Sequence, residues 1–211
     1  MLTPKCYLIL GDGDADELAI GYELAMFWLF MACMGDWEKT SEDTVGEDTS
    51  ALQGEEGQDA VDRMDPSELP AAPSPCREPV LVEVVDVIDG DTIWVQTSTG
   101  SERVRFIGVD APEMSDGGEC YGAEATDEVR SGLQGFRVWL TFDSECEDHY
   151  GRTLAYVHRA PNADGFLQRW LLRGGWVETL EVSPNTAFAE EFGADMQAAR
   201  SAGAGLWSAC D

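Results

Sequence analysis

From Val80 onward, apolar residues recur at spacings that define strands and helices. "VLVEVVDVID" (80–89) and "TIWVQT" (92–97) have the rhythm of paired strands. "STGS" (98–101) is a turn, and "ERVRFIGVDA" (102–111) is a third strand. "GAEATDEVRSGLQG" (122–135) puts Ala125, Val129 and Leu133 four residues apart, on one face of a helix closed near Gly135. "FRVWLTFD" (136–143) and "TLAYVHR" (153–159) are strands four and five. "GFLQRWLLRGG" (165–175) is a short helix with Phe166 and Trp170 on one face, stopped by Gly174-Gly175. "TAFAEEFGADMQAARSAG" (186–203) aligns Phe188, Phe192, Met196 and Ala199 in one stripe. Thr186 is positioned to cap that helix, Glu190 and Glu191 favour its positive end, and Gly203 ends it. The fold class predicted is α+β: a five-stranded OB-type barrel with three helices, the first lying between strands three and four.

Before Val80 the pattern dissolves. Residues 1–34 run into "LAMFWLFMACMG" (24–35), apolar but too short to span a bilayer securely. Acids at 12–17 and Glu23 precede it, where a secretory signal would carry positive charge. "FMAC", ending at Cys33, nevertheless resembles a bacterial lipobox, which makes Cys33 a lipidation candidate and the N-terminus a membrane tether. The alternative is a short buried or disordered apolar segment. Residues 35–79 are acidic, contain several prolines and hold few large apolar residues, the composition of a disordered linker. The folded domain is accordingly expected over 80–211, behind a disordered acidic extension.

Charge changes the picture of partners. The net charge is −28, with 13 basic and 41 acidic residues, and the excess is shared equally between 1–76 and 77–211. Such a field repels polyanions at long range, so any nucleic-acid site must work by local geometry, by a metal or at high salt. Solubility or a salt-rich habitat accounts for the excess itself. Six cysteines are present and none forms a CxxC, so no zinc site is expected. Cys76, Cys120, Cys146 and Cys210 suit two disulfides in an oxidising compartment. They admit three pairings, among which Cys120–Cys146 with Cys76–Cys210 is the preferred expectation; the alternative is four buried or free thiols.

Within the predicted barrel, two carboxylates flank a glycine at Asp89-Gly90-Asp91 just as a strand resumes. A hairpin turn needs one acid there, whereas a hard-cation site needs more oxygens. "RVRFIGVDAPE" supplies Arg105, Asp110, Ala111 and Glu113, with Arg103 and Arg105 on one face of the strand. "DHYGRTLAYV" supplies Tyr150 and Arg152. Two carboxylates with a carbonyl and waters make a site for Ca²⁺ or Mg²⁺. Two guanidinium groups opposite it would clamp a phosphate, and Glu113 would orient or deprotonate a water. Together these parts describe metal-assisted phosphodiester hydrolysis. Taken singly, each is an ordinary turn, strand end or surface ion pair; only their co-occurrence carries the chemistry.

"VIDGDT", "RVRFIGVDAPE", "YGAEA", "YGRTLAYV" and "ARSAGAGLWS" together resemble the thermonuclease (staphylococcal nuclease-like) family, in order and at compatible spacing from about Val80 to Ser208. The resemblance implies an OB-fold, a Ca²⁺ ion, and cleavage of DNA and RNA at the 5′ P–O bond to leave 3′-phosphates, with single strands favoured. It implies Arg105, Glu113 and Arg152 as the catalytic trio, and Asp91, Asp110 and the Ala111 carbonyl as metal ligands. Asp89 would be an acid acting through water, and Tyr150 and His149 would bind substrate. The sequence also departs from the family. His149 stands where well-studied members carry lysine, and Leu180, Glu181 and Val182 stand where they carry tyrosines that stack on the nucleotide. A weaker KM is expected from that loss, more than a lower kcat.

A monomer is expected, extracellular or periplasmic, with membrane anchoring through Cys33 as one form. The rival functions are a non-catalytic nucleic-acid- or protein-binding module and an acidic surface protein whose barrel displays a tail. Trp94, Trp139, Trp170, Trp176 and Trp207 are expected as core anchors, Arg103 as the surface partner of a neighbouring acid, and His149 and His158 as surface residues.

Overall fold

The computed structural model describes residues 57–114, 117–160 and 165–210, all within the compact unit Glu47–Asp211. The apolar segment, Cys33 and the linker up to residue 56 lie outside the described residues. In chain order the strands are β1 (Val80–Val87), β2 (Thr92–Thr97), β3 (Gly100–Phe106), β4 (Gly108–Asp110), β5 (Arg137–Thr141), β6 (Thr153–His158) and β7 (Glu178–Leu180). The helices are α1 (Gly122–Leu133), α2 (Leu167–Gly174), α3 (Ala189–Ala202) and the short α4 (Leu206–Ala209).

The barrel closes in the order β1-β2-β3-β6-β5, as expected for an OB-type fold. All its pairings are antiparallel except β3 with β6. Val82, Val84, Ile93, Val95, Val104, Phe106, Val138, Leu140, Ala155 and Val157 fill the interior from alternate strand positions. The β1–β2 register shifts between Val84 and Asp86, so Val85 turns out to solvent. Phe192 on α3, Leu171 and Leu172 on α2 and Val129 and Leu133 on α1 complete the same core. Asp195 on α3 binds both Arg169 (2.6 Å) and Arg173 (2.9 Å) and so ties α3 to α2.

Several expectations are corrected. The third strand is broken at Ile107. Gly108 has φ +82°, and a Cβ there would lie 2.6 Å from the Phe192 ring, so the chain leaves the barrel and pairs as β4 with β7. Thr186 does not cap α3 with its side chain; its carbonyl accepts from Ala189 N at 3.1 Å, and Phe188 occupies the cap position. Gly175 and Gly203 do end α2 and α3, at φ 68° and 64°.

The described part of the presumed linker is folded. Residues 57–62 form a helical turn, and Val61, Leu69 and Ala72 are buried. Trp139 Nε1 donates to the Val61 carbonyl (2.9 Å), the Thr141 hydroxyl donates to Pro70 (3.2 Å), and Arg137 pairs with Asp62 (2.5 Å). Composition hid this because three apolar side chains suffice when barrel residues supply the hydrogen-bond partners.

The four cysteines are bridged as Cys76–Cys146 and Cys120–Cys210, not in the preferred pairing. The first ties the 57–79 strap to the barrel, and the second ties the C-terminus to the start of α1. None of those five tryptophans is fully buried, although Trp170 and Trp176 pack against the core. His158 is the reverse case. It is completely buried at the end of β6, where its Nε2 shares a hydrogen bond with the Thr141 hydroxyl at 2.8 Å.

Candidate active site

The β1–β2 turn places the first acids. Asp91 N donates to Asp89 Oδ1 at 3.1 Å, so Asp89 braces the turn. Gly90 is required there: a Cβ would sit 2.7 Å from that of Ala111 and 3.2 Å from that of Ala125. This close approach brings Asp91 beneath the β4 end. Asp91 is 6% exposed, and its Oδ2 accepts from Ala111 N at 2.7 Å while its Oδ1 accepts from the Thr92 hydroxyl at 2.9 Å.

Arg105 lies opposite Thr92 in the β2–β3 register and is itself buried. One end of its guanidinium pairs with Asp91, and Nη2 pairs with Asp110 Oδ1 at 2.6 Å. Two carboxylates far apart in sequence therefore meet on one cation. The Asp110 side chain is 54% exposed. Burial pushes the Asp91 carboxyl up to about 6, against the opposing pull of Arg105 and with a further push from Asp89.

Arg152 reaches the same place from the loop before β6. Its Nε donates to Asp148 Oδ2 (2.7 Å), and Asp148 Oδ1 accepts from the backbone N–H groups of Arg152 and Tyr150, each at 2.9 Å. Burial of Asp148 opposes its ionisation, but the hydrogen bonds from Arg152 and Tyr150 prevail and hold its carboxyl below the ordinary value. Among the described residues the two Nη atoms of Arg152 make no hydrogen bond, so the fork keeps its anion-facing donors. Arg105, Asp148, His149 and Arg152 line one cavity of about 230 Å³, whose apolar wall includes Leu154, Leu180 and Val182.

The remaining expected site residues are less closely gathered. Glu113 is exposed, and its carboxylate has no partner among the described residues. Its backbone is held: Glu113 N donates to Glu119 Oε2 (3.0 Å), and Glu119 N donates to the Glu113 carbonyl (2.7 Å). Tyr150 is 66% exposed, with the Arg152 guanidinium 5.5 Å from its ring centroid and the His149 ring at 3.6 Å. Sequence reasoning missed Asp148, whose signal was its position four residues before Arg152 across a Tyr-Gly turn, and Glu119.

Among the described residues no three His, Cys, Asp or Glu side chains cluster as a metal centre. Asp91 and Asp110 form instead a pair of hard oxygen donors converging on Arg105, one buried and one at the surface. Such a pair fits a hard divalent cation whose shell is completed by water and a substrate phosphate, and it does not fit zinc. The burial that raises Asp91 favours a nearby positive ion, which would relieve it.

Fold and site together define an OB-type barrel with a carboxylate–arginine centre on the rim formed by the β1–β2 turn, β3–β4 and the loop before β6. The chain belongs to the family described as staphylococcal nuclease homologue, whose profile matches residues 103–209. The Asp89–Asp91 turn precedes that match. Similar proteins include the SPbeta prophage-derived endonuclease YokF of Bacillus subtilis (strain 168), 34% identical over 137 residues, which are 60% of this chain and 45% of that protein. Endonuclease YncB of the same organism is 35% identical over 127 residues, covering 57% and 58% respectively. The thermonuclease of Staphylococcus intermedius is 47% identical over 74 residues, covering 34% and 44%. The chain thus spans about half the length of these relatives.

Proposed function

We propose that the protein is a Ca²⁺-dependent nuclease that hydrolyses phosphodiester bonds of DNA or RNA at the 5′ P–O bond, leaving 3′-phosphates. One observation carries this reading: Arg105, paired to both Asp91 and Asp110, lines a single cavity with Arg152. In the reaction the two guanidinium groups bind the scissile phosphate and offset the charge that grows on its equatorial oxygens. Asp148 orients Arg152 for this. Glu113 accepts a proton from the attacking water as its oxygen bonds to phosphorus, and the P–O5′ bond breaks on the opposite side, the leaving 5′-oxygen taking a proton from solvent. Asp91, Asp110 and the Ala111 carbonyl would hold the ion, which when bound polarises the phosphate oxygens and acidifies water. Two disulfides favour action outside the reducing cytoplasm, in an extracellular or periplasmic setting.

The test is cleavage of a labelled single-stranded oligonucleotide with Ca²⁺ and with chelator. Cleavage that disappears in chelator and in Arg152→Ala is expected. Tight binding without cleavage by the wild type would instead identify a binding module.

A further inference from the structure

The outer face of the barrel carries a second polar–aromatic group beside the cavity. Arg103 precedes Arg105 on the same face of β3, about 7 Å along the strand. It pairs in register with Trp94 of β2, and its exposed guanidinium lies 5.9 Å from the indole centroid. Contrary to expectation, Arg103 has no carboxylate partner among the described residues. Both side chains border a groove of about 490 Å³ that Arg77, Glu102, Glu147 and Gly151 help to complete. Glu102 is already engaged, by Arg77 at 3.6 Å and by the Thr153 hydroxyl at 2.9 Å. The groove's two arginines balance its two carboxylates, a locally neutral window on a chain of charge −28. Gly151 separates Tyr150 from Arg152, so the groove wall and the cavity wall are parts of one loop.

We propose that the Trp94–Arg103 stripe is an additional subsite that binds nucleotides flanking those in the Arg105–Arg152 cavity, on a single strand. The inference rests on the nuclease reading for what occupies the cavity. Arg103 meets a phosphate, and an unpaired base stacks on the guanidinium–indole pair. A duplex cannot use this surface, because its bases have no free faces. Adding nucleotides beyond a dinucleotide therefore strengthens binding through contacts outside the cavity.

The experiment measures anisotropy of fluorescent oligothymidylates, from a dinucleotide to a dodecanucleotide, in chelator so that turnover is not needed. Cleavage of the same series in Ca²⁺ runs in parallel. For the wild type, affinity rises with length. Trp94→Ala lowers the ratio of long-to-short affinity by roughly five- to a hundredfold. Arg103→Gln, which changes an exposed side chain and leaves the core intact, lowers that ratio too and reduces the salt slope on the long strand by about 0.7. A wild type without length dependence, a long-to-short ratio unchanged in both variants, or an equal length effect on duplex DNA would overturn the subsite. Length-dependent binding without any cleavage would sink the nuclease reading and leave the subsite standing; cleavage with unchanged ratios does the reverse.

Discussion

The Cys120–Cys210 bridge gives a prediction that joins stability to the candidate chemistry. Cys120→Ser/Cys210→Ser opens a loop with a sequence separation of 90 residues. Chain-entropy reasoning assigns a loop of that length about 4.6 kcal/mol at 25 °C. Cys76 lies outside the 120–210 interval, so the second bridge offers no shorter path between the two ends. The same bridge adjoins Glu119, whose backbone and carboxylate both hold the Glu113 main chain. The double variant should therefore lose about 3–5 kcal/mol in urea unfolding followed by tryptophan fluorescence. Under conditions where it remains folded, the proposed mechanism has kcat fall more than KM rises, because Glu113 is positioned less well while Arg105 and Arg152 are untouched. A loss below about 1 kcal/mol would show that the bridge barely restricts the unfolded chain. An unaltered kcat would refute the link between the bridge and Glu113.

Gly90→Ala should destabilise the domain by about 1–3 kcal/mol and depress activity, since the new methyl meets Ala111 and Ala125 and must displace Asp91; paired urea melts and initial rates check both effects. His158 governs a pH response: burial lowers its imidazole to about 3, whereas the unfolded chain titrates near about 6.5. Between those values the unfolded state binds more protons, so stability is complete above the upper value and falls as the pH drops toward the lower one. Wild type should lose on the order of 1 kcal/mol per pH unit more than His158→Gln between about pH 6 and 4, and parallel stability–pH curves would contradict this. Leu180→Tyr, at a 40% exposed position on the cavity wall, should lower KM for single-stranded DNA by a factor corresponding to about 1–3 kcal/mol of stacking, leaving kcat nearly constant; an unmoved KM would argue against a base at that wall.

The barrel was legible because its strands are amphipathic ribbons of β-branched residues, as in Val82, Val84, Ile93 and Val95, and because glycines stop α2 and α3. β4 and β7 were not, since three-residue strands carry no period. The 57–79 strap was hidden by its acids and prolines, and its anchoring depends on Trp139 and Thr141, whose donors are invisible until the fold brings them near. Disulfide pairing failed for the same reason: the partner of Cys120 is chosen by where α4 returns, not by spacing. His158 was misjudged by residue type, although it ends a strand whose neighbours face the core. The chemical centre was easier. Its candidate residues sit in three short motifs, and Asp91, Arg105, Asp110 and Ala111 do meet. The supporting acids Asp148 and Glu119 escaped because each acts on a neighbour's orientation and adds no motif of its own.

On the proposed function a chain of charge −28 must hold a polyanion, and the placement of its arginines accounts for how it would do so. Arg130, Arg137, Arg169 and Arg173 are paired to acids that serve architecture. Arg105 and Arg152 are paired too, but to acids that fix their direction: Asp91 and Asp110 grip the first, and Asp148 grips the second through Nε only. These carboxylates cost some attraction for phosphate and in exchange remove the rotamer freedom that a lone arginine would lose on binding. Acids farther than about 8–10 Å from the cavity are screened by physiological salt. Their repulsion therefore slows encounter with nucleic acid more than it weakens the contacts made once a phosphate is seated between the two forks.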